Sequence, residues 1–410
     1  MFVLLIGTLD TKGAEVGYVR EKLRAAGVPV MVVDAGVLGP PGFAPHVSRE
    51  AVFSAAGANA EAVKAAGDRG KAVALAADGV AKIAAELHRK GKVSGVMSLG
   101  GSAGTTIGTA AMRALPVGVP KLMVSTLASG QVQPYVGTRD VMMLNSVVDV
   151  SGLNRISRAV LDNAAAAMAG MVAVSREPKA SAPDKPVVAA TMFGVTTPCV
   201  EAARKLLEAA GYEVLVFHAT GTGGRTMEGL IRDGLIAGVL DVTTTELADE
   251  LVGGVLTAGP DRLTAAAIKR VPQVISVGAL DMVNFGTPET VPERYKARRF
   301  YQHNPTVTLM RTTPEEMDRL GKEIAEKASA ASGPTAVMLP LRGVSAIDAE
   351  GKPFWWPEAD AALFQSVRNW IAPGVELVEL DLHVNDPAFA AACANKLLAM
   401  MRTGSGERGA

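Results

Sequence analysis

Short apolar runs alternate with amphipathic stretches along nearly the whole chain. The run FVLLI at 2–6 passes through the polar turn GTLDTKG at 7–13 into a predicted helix over Ala14–Ala26. There Val16, Val19, Leu23 and Ala26 recur at helical spacing, and Gly27 supplies the stop. The chain re-emerges as an apolar run over Pro29–Val33, so the opening is a βαβ unit. Further strands are predicted over Ser94–Leu99 and Lys121–Ser125. Residues 60–90 are helical in composition, with interruptions expected at Gly67 and Gly70, and an alanine-rich helix over Leu153–Met171 leads out of this half.

The segment SREPKASAPDKP at 175–186 lacks apolar periodicity and reads as a linker. The alternation then restarts with VVAATMFG, a helix from Thr197, VLVFHATGTGG and AGVLDVTTTE, followed by QVISVGALD, VTLMRT, TAVMLPL and ELVELDLH. The grammar predicts an α/β protein of two doubly wound, Rossmann-like parallel-sheet domains with a ligand cleft between them. The expected layout is a nucleotide-binding domain at 1–174, the linker, a substrate or partner domain at 187–402 and a disordered tail at 403–410.

A length of 410 residues with 49% apolar side chains supports two cores. Lys+Arg and Asp+Glu are equal at 41, and aromatics are 4%, which argues against a nucleic-acid partner. The start carries no signal-peptide pattern and no apolar run approaches a membrane span, so a cytoplasmic protein without membrane contact is expected. Cys199 and Cys393 are the only cysteines, and without a CxxC or Cys/His cluster neither a disulfide framework nor a zinc site is indicated, so small buried core roles are expected.

Candidate chemistry gathers at strand ends. The turn Gly7–Gly13 lies where a helix N-terminus offers unpaired N–H groups to an anion. It is not a P-loop, because glycine and lysine stand in the opposite order, and it lacks the spacing of a dinucleotide fingerprint. GGSAGTT at 100–106 and LASGQ at 127–131 repeat the theme, with hydroxyls beside glycines that let a ligand approach the backbone. Each turn taken singly also reads as a plain passage from strand to helix.

The second half holds His218, His303 and His383 near Asp241, Glu246, Asp281 and Arg311, material for proton transfer or a divalent metal. His218, Asp241, Asp281 and His303 are the catalytic candidates, with helix capping as the alternative role for the two aspartates. The glycine turn in FHATGTGGRT is a second candidate anion site, with Arg225 beside it. Trp355 and Trp356 cannot both point inward, so one is expected to be partly exposed, at a lid or a homodimer contact. Residues 286–305 read as a long irregular stretch with four basic residues, suited to closing over an acidic substrate.

The motifs GTLDTKG, SLGGSAGT, ATMFGVTTPCV, FHATGTGG, DVTTTELAD, GALDMVNFG and HVNDPAFA resemble the family of the plant tobamovirus-resistance protein's amino-terminal ATP-binding domain, nearly end to end. The resemblance implies two α/β subdomains, ATP binding, a dimer, and association with a separate or fused TIM-barrel-like partner; this chain is expected to be the stand-alone form. ATP is then expected around Gly7, Thr8, Thr11, Lys12, Gly100, Gly101, Ser102, Gly104 and Thr105, with Asp10 holding Mg2+ or a hydroxyl and Asp34 the ribose. Three functions stay open: an ATP- and magnesium-using enzyme for a small anionic metabolite, a non-catalytic ATP-responsive dimeric interaction protein, and a lyase or hydrolase of a sugar-phosphate-like substrate.

Overall fold

Five runs of the first half pair into one parallel sheet, the inner ones apolar on both faces, as a strand covered by helices on both sides requires. In the computed structural model, which describes residues 1–176 and 185–406, these are β1 (Phe2–Gly7), β2 (Val30–Asp34), β3 (Val93–Gly100), β4 (Lys121–Ser125) and β5 (Met142–Asn145). Their order is β2-β1-β3-β4-β5. Helices Leu9–Ala25 and Arg155–Arg176 cover one face, where Val16, Val19 and Leu23 pack on Val3, Leu5 and Met97. Helices Arg49–Ala55, Arg69–Arg89 and Ser102–Arg113 cover the other, over Leu4, Ile6 and Val96. Each fully buried Val or Leu contributes about 1.5–3 kcal/mol relative to exposure.

The first helix begins at Leu9, earlier than periodicity places it, with a non-helical φ of −125° at Lys12 where two helical pieces meet. The expected interruption at Gly67 is present, but Gly70 lies inside the first turn of Arg69–Arg89, capped by Asp68, whose side chain accepts from Lys71 N. Glycine costs little there because that turn's N–H groups have no intrahelical partners to lose.

The second half forms β6 (Val187–Met192), β7 (Glu213–His218), β8 (Gly238–Thr243), β9 (Gln273–Gly278), β10 (Met282–Phe285), β11 (Phe300–Asn304), β12 (Val307–Arg311), β13 (Thr335–Pro340) and β14 (Glu376–Leu380). Six make a parallel sheet ordered β14-β13-β9-β8-β6-β7, and β10-β12-β11 make a small sheet whose pairings are antiparallel. Both parallel sheets are doubly wound, so the Rossmann-like α/β class is correct for each half. The stretch 286–305 is less irregular than its composition suggests, because β11 pairs with β12, with a register shift between Gln302 and Asn304.

The chain divides into two compact units, Met1–Ala180 and Ser181–Ala410. Of the expected linker at 175–186, residues 177–184 lie outside the described residues. The last helix, Pro387–Gly406, runs past the expected domain end at 402, so the stretch expected to be a disordered tail begins as helix, and 407–410 lie outside the described residues. Among the described residues no helix is long and apolar enough to cross a membrane.

Candidate functional site

Strand order reverses beside β1 in the first unit. The chain leaves β1 toward β2 on one side and returns to β3 on the other, so the loops after β1 and β3 part above their carboxyl ends. Open α/β sheets hold ligands in that crevice. A cavity of about 450 Å³ occupies it, lined by Lys12 from the start of the first helix, Gly36–Leu38 after β2, and Gly100–Gly104 at and after the end of β3. The volume lies within the range of small-molecule sites.

The glycine turn is built for backbone approach. Gly100 has φ of +155°, and a Cβ there would stand 3.1 Å from Gly104 Cα. Gly101 is the N-cap of Ser102–Arg113 and no side chain caps that end. The first N–H groups of this helix therefore have no intrahelical acceptor, and with the helix dipole they favour an anion. Ser102 and Gly104 line the cavity. Thr105 does not serve as expected: it is fully buried, its hydroxyl donating to Gly101 O at 2.8 Å and lying 2.6 Å from Ser125 Oγ.

On the opposite side of the crevice, Thr8, Asp10, Thr11 and Lys12 line the cavity, with the two threonine hydroxyls 2.8 Å apart. Lys12 makes no ion pair with another described residue. Gly7 is a packing glycine, since a Cβ there would meet Val16 Cγ2 at 2.5 Å. Asp34 cannot hold a ribose: it is 1% exposed, one oxygen accepts from Leu9 N and Gly36 N, and the other from Arg49 Nε at 2.9 Å. Its charge is spent fastening the loops after β1 and β2 together.

Asp10 divides its carboxylate between two tasks. Oδ2 accepts from Leu38 N at 2.7 Å and Gly39 N at 3.3 Å, which ties down the Gly36–Gly39 loop. Oδ1 is buried without a hydrogen-bond partner, and a Cβ on Gly36 would stand 2.5 Å from it. A buried carboxylate oxygen without a donor is costly, and Arg49 Nη1, 3.9 Å from Oδ2, offsets part of the carboxylate's charge.

Sequence reasoning missed the remaining walls. Val37, Leu38, Val63, Val73 and Ile107 supply apolar surface, and Lys64 and Arg69 supply charge. All but Ile107, which lies on the helix Ser102–Arg113, belong to the connection from β2 to β3, where the sequence offers only helical composition; the capping residues Asn59 and Asp68 were the available signal that two helix ends come together there.

The catalytic candidates of the second unit do not form one site. His218 and His303 are exposed residues. Asp241 is buried, accepting both Arg262 terminal nitrogens at 2.6 Å and Thr191 Oγ1 at 2.7 Å. The glycine turn after β7 is a genuine anion site, but the protein fills it: Glu246 Oε1 accepts from Gly221 N at 2.7 Å and Gly224 N at 3.0 Å. His383 accepts from Asn385 N through Nδ1 and places Nε2 2.9 Å from Ser345 O, which makes it a structural loop residue. Both cysteines are buried and free, as expected. Trp355 is 43% exposed while Trp356 packs on the core, as adjacent aromatics require. Among the described residues no group of three His, Cys, Asp or Glu side chains is arranged to hold a metal ion.

Asp281 is fully buried, with Oδ2 accepting from Ser345 Oγ at 2.7 Å and Oδ1 unpartnered. Burial, and next the charge of Asp348, push its pKa up. Burial likewise raises Asp249 to about 7. The folded protein thus keeps protons that the unfolded chain loses near the usual aspartate value, and the unfolding free energy falls as pH rises between the two. The urea midpoint should be lower at about pH 9 than at about pH 6, and Asp281→Asn should flatten that decline; a midpoint that rises over this interval would contradict the assignment.

A model described as "Uncharacterised protein family (UPF0261) N-terminal domain" matches residues 1–177, and the corresponding C-terminal domain model matches residues 185–401. A UPF0261 protein of Clostridium tetani is 51% identical over 404 residues, covering 97% of this chain and 98% of its own length. One of Rhizobium meliloti is 49% identical over 392 residues, 95% of this chain and 96% of its own. The ToMV resistance protein Tm-1(GCR237) of Solanum lycopersicum is 45% identical over 335 residues, 80% of this chain and 44% of that longer protein. A solved thioesterase domain from the curacin biosynthetic pathway aligns at 13% identity over 53% of this chain and 92% of its own, with a TM-score of 0.26, too slight a likeness to inform function. Two adjoining domain models and full-length relatives agree: the chain belongs to the UPF0261 family.

Proposed function

We propose that the first unit binds ATP in the crevice between β1 and β3, and that the protein uses ATP and magnesium to act on a small anionic metabolite. One observation carries this reading. A cavity at the topological switch point combines an uncapped helix N-terminus at Gly101 with Lys12, a cation without an ion pair among the described residues. Phosphate oxygens fit the N–H groups of the Gly101–Gly104 turn, with Ser102, Thr8 and Thr11 hydroxyls beside them, and Lys12 neutralises their charge. The apolar wall of Val37, Val63, Val73 and Ile107 suits a base. Asp10 Oδ1 is the atom for magnesium, which would reach it with most of its waters retained and the Gly36–Gly39 loop lifted. Bound magnesium screens phosphate charge and polarises the phosphoryl oxygens.

A second reading, an ATP-responsive interaction protein without turnover, is favoured by the fate of Asp241, whose carboxylate is consumed by Arg262. Cytoplasmic location, a homodimer and a TIM-barrel-like partner accompany both readings, and the exposed Trp355 is the anchor for such contacts. Thermal unfolding with and without Mg-ATP tests the shared core. Saturation at about 100 times Kd should add roughly 2.7 kcal/mol, and Lys12→Ala should remove most of the gain. An unchanged wild-type Tm at millimolar Mg-ATP would sink both readings, while phosphate release in a metabolite screen separates the enzyme from the interaction protein.

A further inference from the structure

The helix Ala60–Ala66 stands on the rim of the cavity with little to hold it. It is seven residues long and only Ala60 is buried. Helices this short are marginal unless tertiary packing supports them. Gly57 precedes it at φ +75° and Gly67 ends it at φ +68°, both backbone states suited to glycine hinges. Val63 and Lys64 line the 450 Å³ cavity, while Ala62, Val63 and Ala66 line a second hollow of about 340 Å³. Space therefore adjoins the helix on both sides, into which it can shift with little loss of packing.

The same segment brings charge. Lys64 and Arg69 line the first cavity, and neither has an ion pair or a side-chain hydrogen bond with another described residue. Of the carboxylates lining the cavity, Asp68 caps the helix Arg69–Arg89 through Lys71 N, and Asp10 is tied to the Gly36–Gly39 loop; Asp149 is the third. The glycine turn and Lys12 already serve one anionic group from the loops after β1 and β3. Two further cations on the connection after β2 call for a ligand with more than one negative group.

We propose that Ala60–Ala66 is a lid that closes on a polyphosphate ligand, with Lys64 and Arg69 as binding residues for phosphate oxygens beyond the reach of Lys12 and the glycine turn. The proposal rests on the nucleotide reading and extends it to selectivity: a triphosphate is favoured over a monophosphate or nucleoside because only the longer chain meets both cationic groups. Lys64→Ala combined with Arg69→Ala should weaken ATP binding by at least about tenfold, the order expected for losing charge-assisted contacts, and weaken AMP binding far less. Amide hydrogen exchange of wild-type residues 57–68 should slow when ATP binds and stay unchanged with adenosine. Both substituted side chains lie at the surface of the cavity wall, and circular dichroism verifies the fold of the double variant. Wild-type protein that binds ATP while the double variant binds it equally well, or while residues 57–68 gain no protection, overturns the lid alone. Wild-type protein that binds no ATP overturns the nucleotide reading and the lid with it.

Discussion

Gly101→Val should leave the unliganded protein folded and abolish its response to ATP. The expectation comes from the backbone at that position. Gly101 has φ −80° and ψ −154°, an extended conformation with negative φ, so no left-handed backbone calls for glycine there. A Cβ built on it finds only Thr126 Oγ1, at 3.7 Å, an ordinary contact. The added Cβ therefore fits without displacing a neighbour, and the valine side chain is expected to take up space at the helix N-terminus where a phosphate would bind. Gly100 is the informative contrast, because its φ of +155° and the 3.1 Å approach to Gly104 Cα would strain any side chain. A Gly100 variant would lose binding and stability together and distinguish nothing. With wild-type protein gaining roughly 2.7 kcal/mol at about 100 times Kd, the Gly101 variant should gain essentially none. Differential scanning fluorimetry with isothermal titration reads both quantities. A Gly101→Val protein that binds ATP as wild type does would move the phosphates away from this turn.

The elements that sequence placed well are those whose signal is local. β1, the helix after it and β2 were legible because apolar runs and a 3.6-residue period fall within one window, and β4 was placed at its observed bounds, Lys121–Ser125. β5 was missed because it is an edge strand, partly exposed along Met142–Asn145, without the continuous apolar run of its neighbours. The glycine turn after β3 and Lys12 after β1 were legible as candidates for the same physical reason that makes them a site: strand ends in a parallel sheet converge on one edge. Asp34 illustrates the limit. It stands where a ribose-binding acid stands after a second strand, and nothing local reveals that Arg49, on the following helix, has already taken its charge. The occupied anion site after β7 is the same lesson at longer range. Gly221 and Gly224 look open until Glu246, brought over by β8, fills them. Lys64 and Arg69 were invisible for the converse reason, because nothing in a polar helix surface tells which cations will face a cavity.

Arg262→Ala should destabilise the second unit by about 3–5 kcal/mol, the range for breaking a buried charge network by removing one partner. Arg262 carried no sequence signal, yet it is buried and binds three carboxylates contributed by separate elements. Its terminal nitrogens donate to Asp241 at 2.6 Å, its Nε donates to Glu246 at 2.7 Å, and Glu228 lies 3.5 Å away. Glu246 in turn holds the turn after β7, and Glu228 accepts from Leu263 N at 2.7 Å and Ala265 N at 2.8 Å. Truncation leaves three acids in the interior with no cation, and each must be desolvated bare or take up a proton. Burial pushes the pKa of Glu228 up, against the pull of Arg262 and of the Ala265 and Leu263 N–H groups, so removing the guanidinium should push it further up. Arg262→Lys should recover only part of the loss, since an ammonium cannot present two parallel donors to Asp241 and a third to Glu246 at once. Adding Asp241→Asn to Arg262→Ala should restore stability relative to the single variant by removing one stranded charge, a non-additivity that a double-mutant cycle in urea would detect. A loss of less than about 1 kcal/mol in Arg262→Ala would mean that the acids find water or protons cheaply, and that the cluster contributes little to holding β7, β8 and their turns in register.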